Sequence, residues 1–265
     1  MFKTILFVCC FVPLFGYAQS DFKKVKSWKA KKTELISLDR LGNFIFIEKS
    51  GRMIKYNGDG KKLATSARQP VTLVEPWFQP TIFVYNRSKQ HYNLLDRNFE
   101  SSSTHAVDSA WAIEPILVCP THDNRLWILD QADWSLKKVL PTTNQVIQEF
   151  SLAPENLEQA DFIYLREYLN LVFLLDKNSG IIILNHLGKV IERISVPGLK
   201  GFYFFGDEMY FVQDGKLKYF NLLTSQWREH ALPSNAVQAI ITDECLVTLS
   251  VTKEVTLYRY TSSSD

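Results

Sequence analysis

The sequence predicts an all-β fold, a six-bladed β-propeller closed by an N-terminal outer strand in the last blade. The first observation is the segment 33–66, in which four short apolar pieces are separated by the turn-forming clusters 41–43, 49–51 and 57–60. Gly, Asn, Asp and Ser between short apolar runs favour tight turns between strands. This segment therefore predicts a four-stranded antiparallel meander, which is the unit of one blade.

The second observation is that similar units recur to the end of the chain. Each unit has a central residue within an apolar triplet, and these anchor residues are Phe46, Phe83, Trp127, Phe173, Tyr210 and Val247. Successive anchors lie about 37, 44, 46, 37 and 37 residues apart. A period of this length is typical of propeller blades, so six anchors predict six blades.

The third observation is that the last unit is one strand short. Outer strands are predicted in the first five units, over 62–66, 102–107, 146–150, 190–195 and 227–232, whereas the sixth ends at 262–265. Residues 21–29 precede the first inner strand and belong to no complete unit. We expect them to pair outside residues 255–260 and to close the ring, which would also explain their lysines as those of a solvated edge strand.

The N-terminus has the pattern of a secretory signal peptide. Lys3 precedes an apolar run from Ile5 to Phe15, and Gly16 and Ala18 occupy the small-residue positions of a cleavage site. We expect residues 1–18 to be removed and residues 19–265 to form a single propeller domain. The apolar run is short for a membrane of about 30 Å, and no later segment approaches that length. The sequence therefore predicts an exported protein without a transmembrane segment, in the periplasm, at the outer membrane or outside the cell.

The charge balance gives no general reason to expect nucleic acid or an acidic surface as a partner. Loss of Lys3 with the leader leaves 29 basic residues against 28 acidic residues, a net charge of +1. Near-neutral charge and export both argue against a nucleic-acid partner. An apolar content of 46% is ample for a packed core.

Two cysteines remain after the leader. Cys119 falls near the end of the inner strand of blade three, and Cys245 opens the second strand of blade six. These places lie on opposite sides of a six-bladed ring, whereas a disulfide requires Cα atoms within about 7 Å. We expect two free, buried thiols.

Ligands of propellers usually bind at the inner strands and at the loops around the central channel. The residues that the repeat pattern places there as candidates for channel-rim binding are Glu75, Trp77, Trp111, Glu114, Arg166 and Tyr168. Glu75 and Glu114 each precede a proline about ten residues before an anchor, which predicts equivalent positions in neighbouring blades. We expect both to be solvated loop acids beside strand-ending prolines, and the alternative is that the two carboxylates bind a cation or share a proton.

Patterns for other chemistry are absent from the sequence. The five histidines show no zinc-ligand spacing, and no Gly-x-Ser-x-Gly elbow or phosphate-binding glycine loop occurs. The turn at 57–60 lacks the acid spacing of a calcium loop. No cofactor is therefore predicted, with calcium at the channel rim as the alternative. The aromatic residues are expected to wedge between blades, and the alternative is a protein or glycan contact by Trp77, Phe78, Trp111, Trp134, Tyr168 and Trp227.

Residues 38–47 (LDRLGNFIFI), 51–61 (GRMIKYNGDGK) and 171–189 carry a resemblance to the six-bladed propellers of the NHL and TolB-like superfamily. The resemblance implies a scaffold or protein-binding disc, or a metal-dependent lactonase or lyase. The lactonase-like branch holds calcium with acids and asparagines, a set that is not matched in full here. The leader end Tyr17-Ala18-Gln19-Ser20 is similar to those of Bacteroidota.

The sequence thus favours a non-enzymatic exported propeller that acts as a protein-interaction or scaffold module of the cell envelope. Its partner would be a protein or an envelope complex, and the chain alone would be monomeric. The alternative is a small-molecule or glycan-binding propeller, including a metal-dependent lactonase-like or lyase-like enzyme that uses the channel-rim carboxylates.

Overall fold

The structure is a computed structural model that describes residues 22–78, 80–100, 102–152 and 159–260. The predicted signal peptide, residues 1–18, lies outside the described residues. Within them, the strands form six four-stranded antiparallel sheets. These sheets are the blades of a six-bladed β-propeller, which confirms the predicted fold class.

The first three blades each use four consecutive strands, numbered from the channel outwards. Blade one contains β2 (Thr33–Leu38), β3 (Phe44–Glu48), β4 (Met53–Tyr56) and β5 (Lys62–Thr65). Blade two contains β6 (Leu73–Glu75), β7 (Ile82–Asn86), β8 (His91–Leu95) and β9 (Ser102–Ala106). Blade three contains β10 (Pro115–Pro120), β11 (Leu126–Asp130), β12 (Ser135–Leu140) and β13 (Gln145–Ser151).

The last three blades complete the ring. Blade four contains β14 (Phe162–Tyr168), β15 (Leu171–Asp176), β16 (Gly180–Asn185) and β17 (Val190–Ser195). Blade five contains β18 (Tyr203–Phe205), β19 (Glu208–Gln213), β20 (Lys216–Asn221) and β21 (Trp227–Ala231). Blade six contains β22 (Ala236–Ile241), β23 (Cys245–Ser250), β24 (Glu254–Tyr260) and, outermost, β1 (Phe22–Lys29).

Strand β1 closes the ring, as the sequence predicts. It pairs antiparallel with β24, from Phe22 opposite Tyr260 to Lys29 opposite Glu254. Trp28 also packs beyond its own sheet, because its ring lies 6.0 Å from Phe46 and 5.4 Å from Tyr56 of blade one. The N-terminal strand therefore joins the last blade by hydrogen bonds and the first blade by aromatic packing.

The space between blades is filled by the anchor residues of the repeats. All six are buried: Phe46, Phe83, Trp127, Phe173, Tyr210 and Val247. Polar atoms on large rings also tie adjacent blades together. The Tyr85 hydroxyl donates to the carbonyl of Pro115 at 2.6 Å, and the Tyr210 hydroxyl accepts from the backbone N–H of Ile241 at 2.9 Å. These contacts support the interpretation of the large rings as wedges.

The outer strands agree with the predicted ranges to within one residue at each end, and β17 agrees exactly. Cys119 lies in the inner strand of blade three and Cys245 begins the second strand of blade six. Both thiols are buried and free, as predicted. No helix among the described residues is long and apolar enough to cross a membrane.

Candidate functional site

The strand register defines one layer of side chains across the central channel. In each blade, one residue of the inner strand pairs directly with the anchor residue of the second strand. These residues are Ile36, Glu75, Cys119, Arg166, Tyr203 and Ile240. Blades two, three and four therefore contribute an acid, a thiol and a guanidinium group at the same height of the channel.

Glu75 and Arg166 form an ion pair within this layer. Their side chains are buried, with whole-residue exposures of 1% and 7%, and Arg166 Nε lies 3.0 Å from Glu75 Oε2. The two atoms are close enough for an ion pair, but neither forms a hydrogen bond with any of the described residues. Because blade three separates blades two and four along the ring, this pair links non-adjacent blades.

Burial dominates the electrostatics of the layer. It raises the pKa of the Glu75 carboxyl, although Arg166 and the backbone N–H of Trp77, 2.9 Å from Glu75 Oε1, oppose the rise. It also raises the pKa of the Cys119 thiol, and the charge of Glu75 adds to this effect. A buried thiol with a raised pKa stays protonated and is a poor nucleophile. Cys119 is therefore a packing residue of the layer.

Aromatic rings enclose Arg166 at the end of the channel. Its guanidinium lies 5.8 Å from the ring centre of Phe78 and 5.3 Å from that of Phe204. Tyr168 stacks on Phe204 at 4.0 Å and donates its hydroxyl to the carbonyl of Gly206. A cavity of about 20 Å³ beside these rings has room for about one water molecule.

Four of the six sequence-predicted candidates thus meet at one place: Glu75, Trp77, Arg166 and Tyr168. Trp111 is a buried side chain in the link between blades two and three, and its indole N–H has no hydrogen-bond partner among the described residues. Glu114 lies in the same link, with its half-exposed carboxylate 3.6 Å from Arg87.

The expectation that Glu75 and Glu114 occupy equivalent positions is wrong. Glu75 pairs with its anchor, Phe83, near the end of its strand. Glu114 precedes Pro115, the first residue of β10, and Cys119 is the residue that pairs with the anchor of blade three. The two carboxylates therefore lie at opposite ends of neighbouring inner strands.

Sequence reasoning missed a second buried acid beside the layer. Glu167 accepts a hydrogen bond from the Trp127 indole at 2.6 Å and lies 3.1 Å from Lys138 Nζ and 2.9 Å from His122 Nδ1. This network joins blade three to blade four. The strand register would have identified Glu167, because it follows Arg166, which pairs with Phe173, the anchor residue of blade four.

The two faces of the disc differ in their exposed apolar residues. We define the lower face of the disc as the face that carries two turns of each blade, the one between the first and second strands and the one between the third and fourth strands. The upper face carries the remaining loops. Exposed large apolar residues at lower-face turns are Leu41, Leu169, Leu187, Phe205 and Leu223, against Ile113 and Val251 in the described upper-face loops. Within the part of the chain that the structure describes, the lower face therefore exposes more large apolar residues.

Three of these lower-face residues lie on turns that hydrogen bonds join, and we call them the lower apolar patch: Leu169, Phe205 and Leu223, which are 50%, 37% and 73% exposed. The Tyr168–Gly206 hydrogen bond joins the turn of Leu169 to that of Phe205. The bond from Leu222 N–H to the Asp207 carbonyl, 2.8 Å, joins the turn of Phe205 to that of Leu223. The patch lies on blades four and five, next to the rings that enclose Arg166.

Among the residues that the structure describes, no three His, Cys, Asp or Glu side chains are grouped so as to hold a metal ion. No protein-family model matches the chain, and no curated protein matches it.

Solved structures do resemble the chain. A catalytically inactive virginiamycin B lyase from Staphylococcus aureus with quinupristin superposes with a TM-score of 0.58 at 10% identity, covering 91% of this chain and 100% of that one. BBS1N in complex with ARL6DN superposes with a TM-score of 0.58 at 10% identity, covering 94% and 99%. BamB from Moraxella catarrhalis gives a TM-score of 0.49 at 10% identity, covering 92% and 99%. At these identities the likeness concerns the fold, and function has to be argued from the site.

Proposed function

We propose that this protein is a non-enzymatic interaction module of the cell envelope that binds a protein partner through its lower face. The observation that carries the proposal is the lower apolar patch of Leu169, Phe205 and Leu223. Exposed apolar residues that gather on neighbouring turns of one face are typical of interaction sites. Full burial of a leucine is worth about 1.5–3 kcal/mol, so covering these side chains would contribute several kcal/mol to binding.

The chemistry of the channel layer supports a binding role over an enzymatic one. The Glu75 carboxylate is engaged by Arg166 and by the Trp77 N–H, and the Cys119 thiol is buried. The alternative of a metal-dependent lactonase or lyase gains no support from Glu75 and Glu114, because they lie at opposite ends of their strands. A protein-binding BBS1N propeller of the same fold is consistent with the proposal.

Two exposed pairs allow a matched test of the lower face. The double substitution Leu169→Asp with Leu223→Asp places charges in the lower apolar patch, and Ile113→Asp with Val251→Asp places charges on the upper face. All four side chains are at least half exposed, so both variants are expected to fold with melting temperatures close to that of the unchanged protein.

Affinity purification from the native host under gentle extraction is expected to recover a partner with the unchanged protein and with the upper-face variant. The lower-face variant is expected to bind at least about 30-fold more weakly, since buried charges at an interface centre cost about 2 kcal/mol or more. Recovery of the partner with both variants alike, or repeated recovery of the protein alone, would count against the proposal.

We further propose that the chain is an exported NHL/TolB-like propeller of Bacteroidota type, with residues 1–18 removed and residues 19–265 forming a single domain in the periplasm or at the outer membrane. Mass spectrometry of the exported, unreduced protein is expected to give a chain that begins at Gln19. Alkylation after denaturation is expected to add two groups, because Cys119 and Cys245 are free. A mass that includes residues 1–18 would contradict removal of the leader. Failure of Cys119 and Cys245 to be alkylated would indicate a disulfide between them and contradict the blade assignment.

A further inference from the structure

Above the layer of Glu75 and Arg166, the channel holds a second and much larger cavity. Its volume is about 330 Å³, within the range of small-molecule sites. Aliphatic side chains from the inner strands and adjoining segments of four blades form most of its wall: Leu35, Ile47, Leu73, Val74, Ile163 and Leu199. Such a wall favours a hydrocarbon chain and offers few polar partners to a sugar or a peptide.

Two tyrosines form the inner end of this cavity. Tyr164 and Tyr203 line it, and Tyr203 also borders the small cavity beside Arg166. Burial raises the pKa of both phenols, so both are neutral, and the Tyr203 hydroxyl donates to the carbonyl of Ile36 at 2.7 Å. The floor therefore presents ring carbon and a hydroxyl already engaged in a hydrogen bond, with the ion pair beneath it.

The charged residues of the lining lie at the upper face: Glu34, Lys177 and Lys200. Two of them are paired with neighbours, since Glu34 lies 3.4 Å from Lys253 and Lys177 lies 3.6 Å from Asp161. Lys200 is exposed and has no ion-pair partner among the described residues. Among the described residues, the mouth of the cavity thus carries one lysine, Lys200, whose charge no ion pair neutralises.

The backbone holds the segment of Lys200 in place. Gly198 donates its N–H to the Lys177 carbonyl at 2.8 Å, and Lys177 donates its own N–H to the Asp161 carbonyl at 2.9 Å. Gly198 has a φ of +78°, a conformation that glycine adopts without strain. The cation is therefore presented by a loop that is fixed to the neighbouring turn of blade four.

We propose that this cavity binds a straight-chain aliphatic monocarboxylate, with the hydrocarbon tail inside and the carboxylate at Lys200. A water-sized group occupies about 30 Å³, so the cavity accommodates about ten such groups. An acid of about eight carbons fits this space. Charge complementarity selects the anion over a cation with the same tail, and the apolar wall selects a long acid over a short one.

The test measures binding of butanoate, hexanoate and octanoate by titration calorimetry, with octan-1-ol and octyltrimethylammonium as matched probes. Affinity is expected to rise about three- to fourfold with each added methylene, the equivalent of burying one such group. Octanoate is also expected to raise the melting temperature by mass action. Octyltrimethylammonium is expected to bind more weakly than octanoate.

Two variants test the contributions of the carboxylate and of the hydrocarbon tail separately. Lys200→Ala is expected to weaken octanoate about two- to fivefold, as for an exposed charge pair, and to leave octan-1-ol unchanged. Lys62→Ala, on the exposed outer strand β5, is the control and should change neither. Ile163→Phe narrows the cavity and is expected to reduce the gain per methylene, with circular dichroism confirming the fold.

A flat chain-length series, equal binding of the cationic probe, or an octanoate affinity unchanged by Lys200→Ala would overturn the proposal. The site is independent of the protein-binding face. Octanoate should therefore bind the Leu169→Asp, Leu223→Asp variant as it binds the unchanged protein, so that failure of one proposal is distinguishable from failure of the other.

Discussion

Replacing Arg166 by alanine is expected to lower the free energy of unfolding by about 3–5 kcal/mol, because it leaves Glu75 as a buried carboxylate without a cation. The substitution also removes the packing of the guanidinium between Phe78 and Phe204. The measurement is denaturant unfolding at pH 7. Loss of Arg166 also removes a group that lowers the pKa of Glu75. A carboxyl with a raised folded-state pKa is most compatible with the fold when protonated, so the deficit should shrink as the pH falls.

Two controls test the physical reason for this loss. Lys216→Ala breaks the solvent-screened pair with Glu229 and is expected to leave the denaturant midpoint almost unchanged. The double variant Glu75→Leu, Arg166→Met is expected to recover most of the loss, since apolar groups of similar volume replace buried ion pairs at little cost. An Arg166→Ala protein as stable as the Lys216→Ala protein would show that water reaches the pair.

Trp28→Ala is expected to cost about 3 kcal/mol, the lower end of the range for tryptophan truncation because the ring is half-buried. The ring is the contact through which β1 packs on Phe46 and Tyr56. Val25→Ala, at an exposed position of the same strand, is the control and should change stability by less than about 0.5 kcal/mol. Denaturant unfolding measures both. Equal stabilities would mean that the packing of the Trp28 ring on blade one adds nothing to closure of the ring.

The fold was predictable because its signals are local. Turn clusters and apolar triplets recur in each unit, and their count revealed both the sixth blade and its missing strand. The prediction that Glu75 and Glu114 are equivalent failed because their distances to the anchors, 8 and 13 residues, were both treated as about ten. A register shift between Pro115 and Leu117 adds to the difference.

The site was predictable only in part. Glu75, Trp77, Arg166 and Tyr168 were among the candidates because inner strands and their ends line the channel. The pairing of Glu75 with Arg166 depends on contacts across the ring, which no local pattern encodes. The large cavity above them depends on how side chains of four blades fill the channel. The lower apolar patch depends on which apolar residues of the turns remain exposed.

Closure of the ring by β1 also has a consequence for the order of folding. Every other strand pair in the six described sheets joins neighbours in the chain, whereas β1 must find β24 across almost the whole sequence. Contacts of such long range slow folding, although the entropic cost of closing a loop grows by only about 0.6 kcal/mol for each doubling of its length. Strand β1 therefore has no sheet partner until β24 is available, and their pairing completes the ring late in folding.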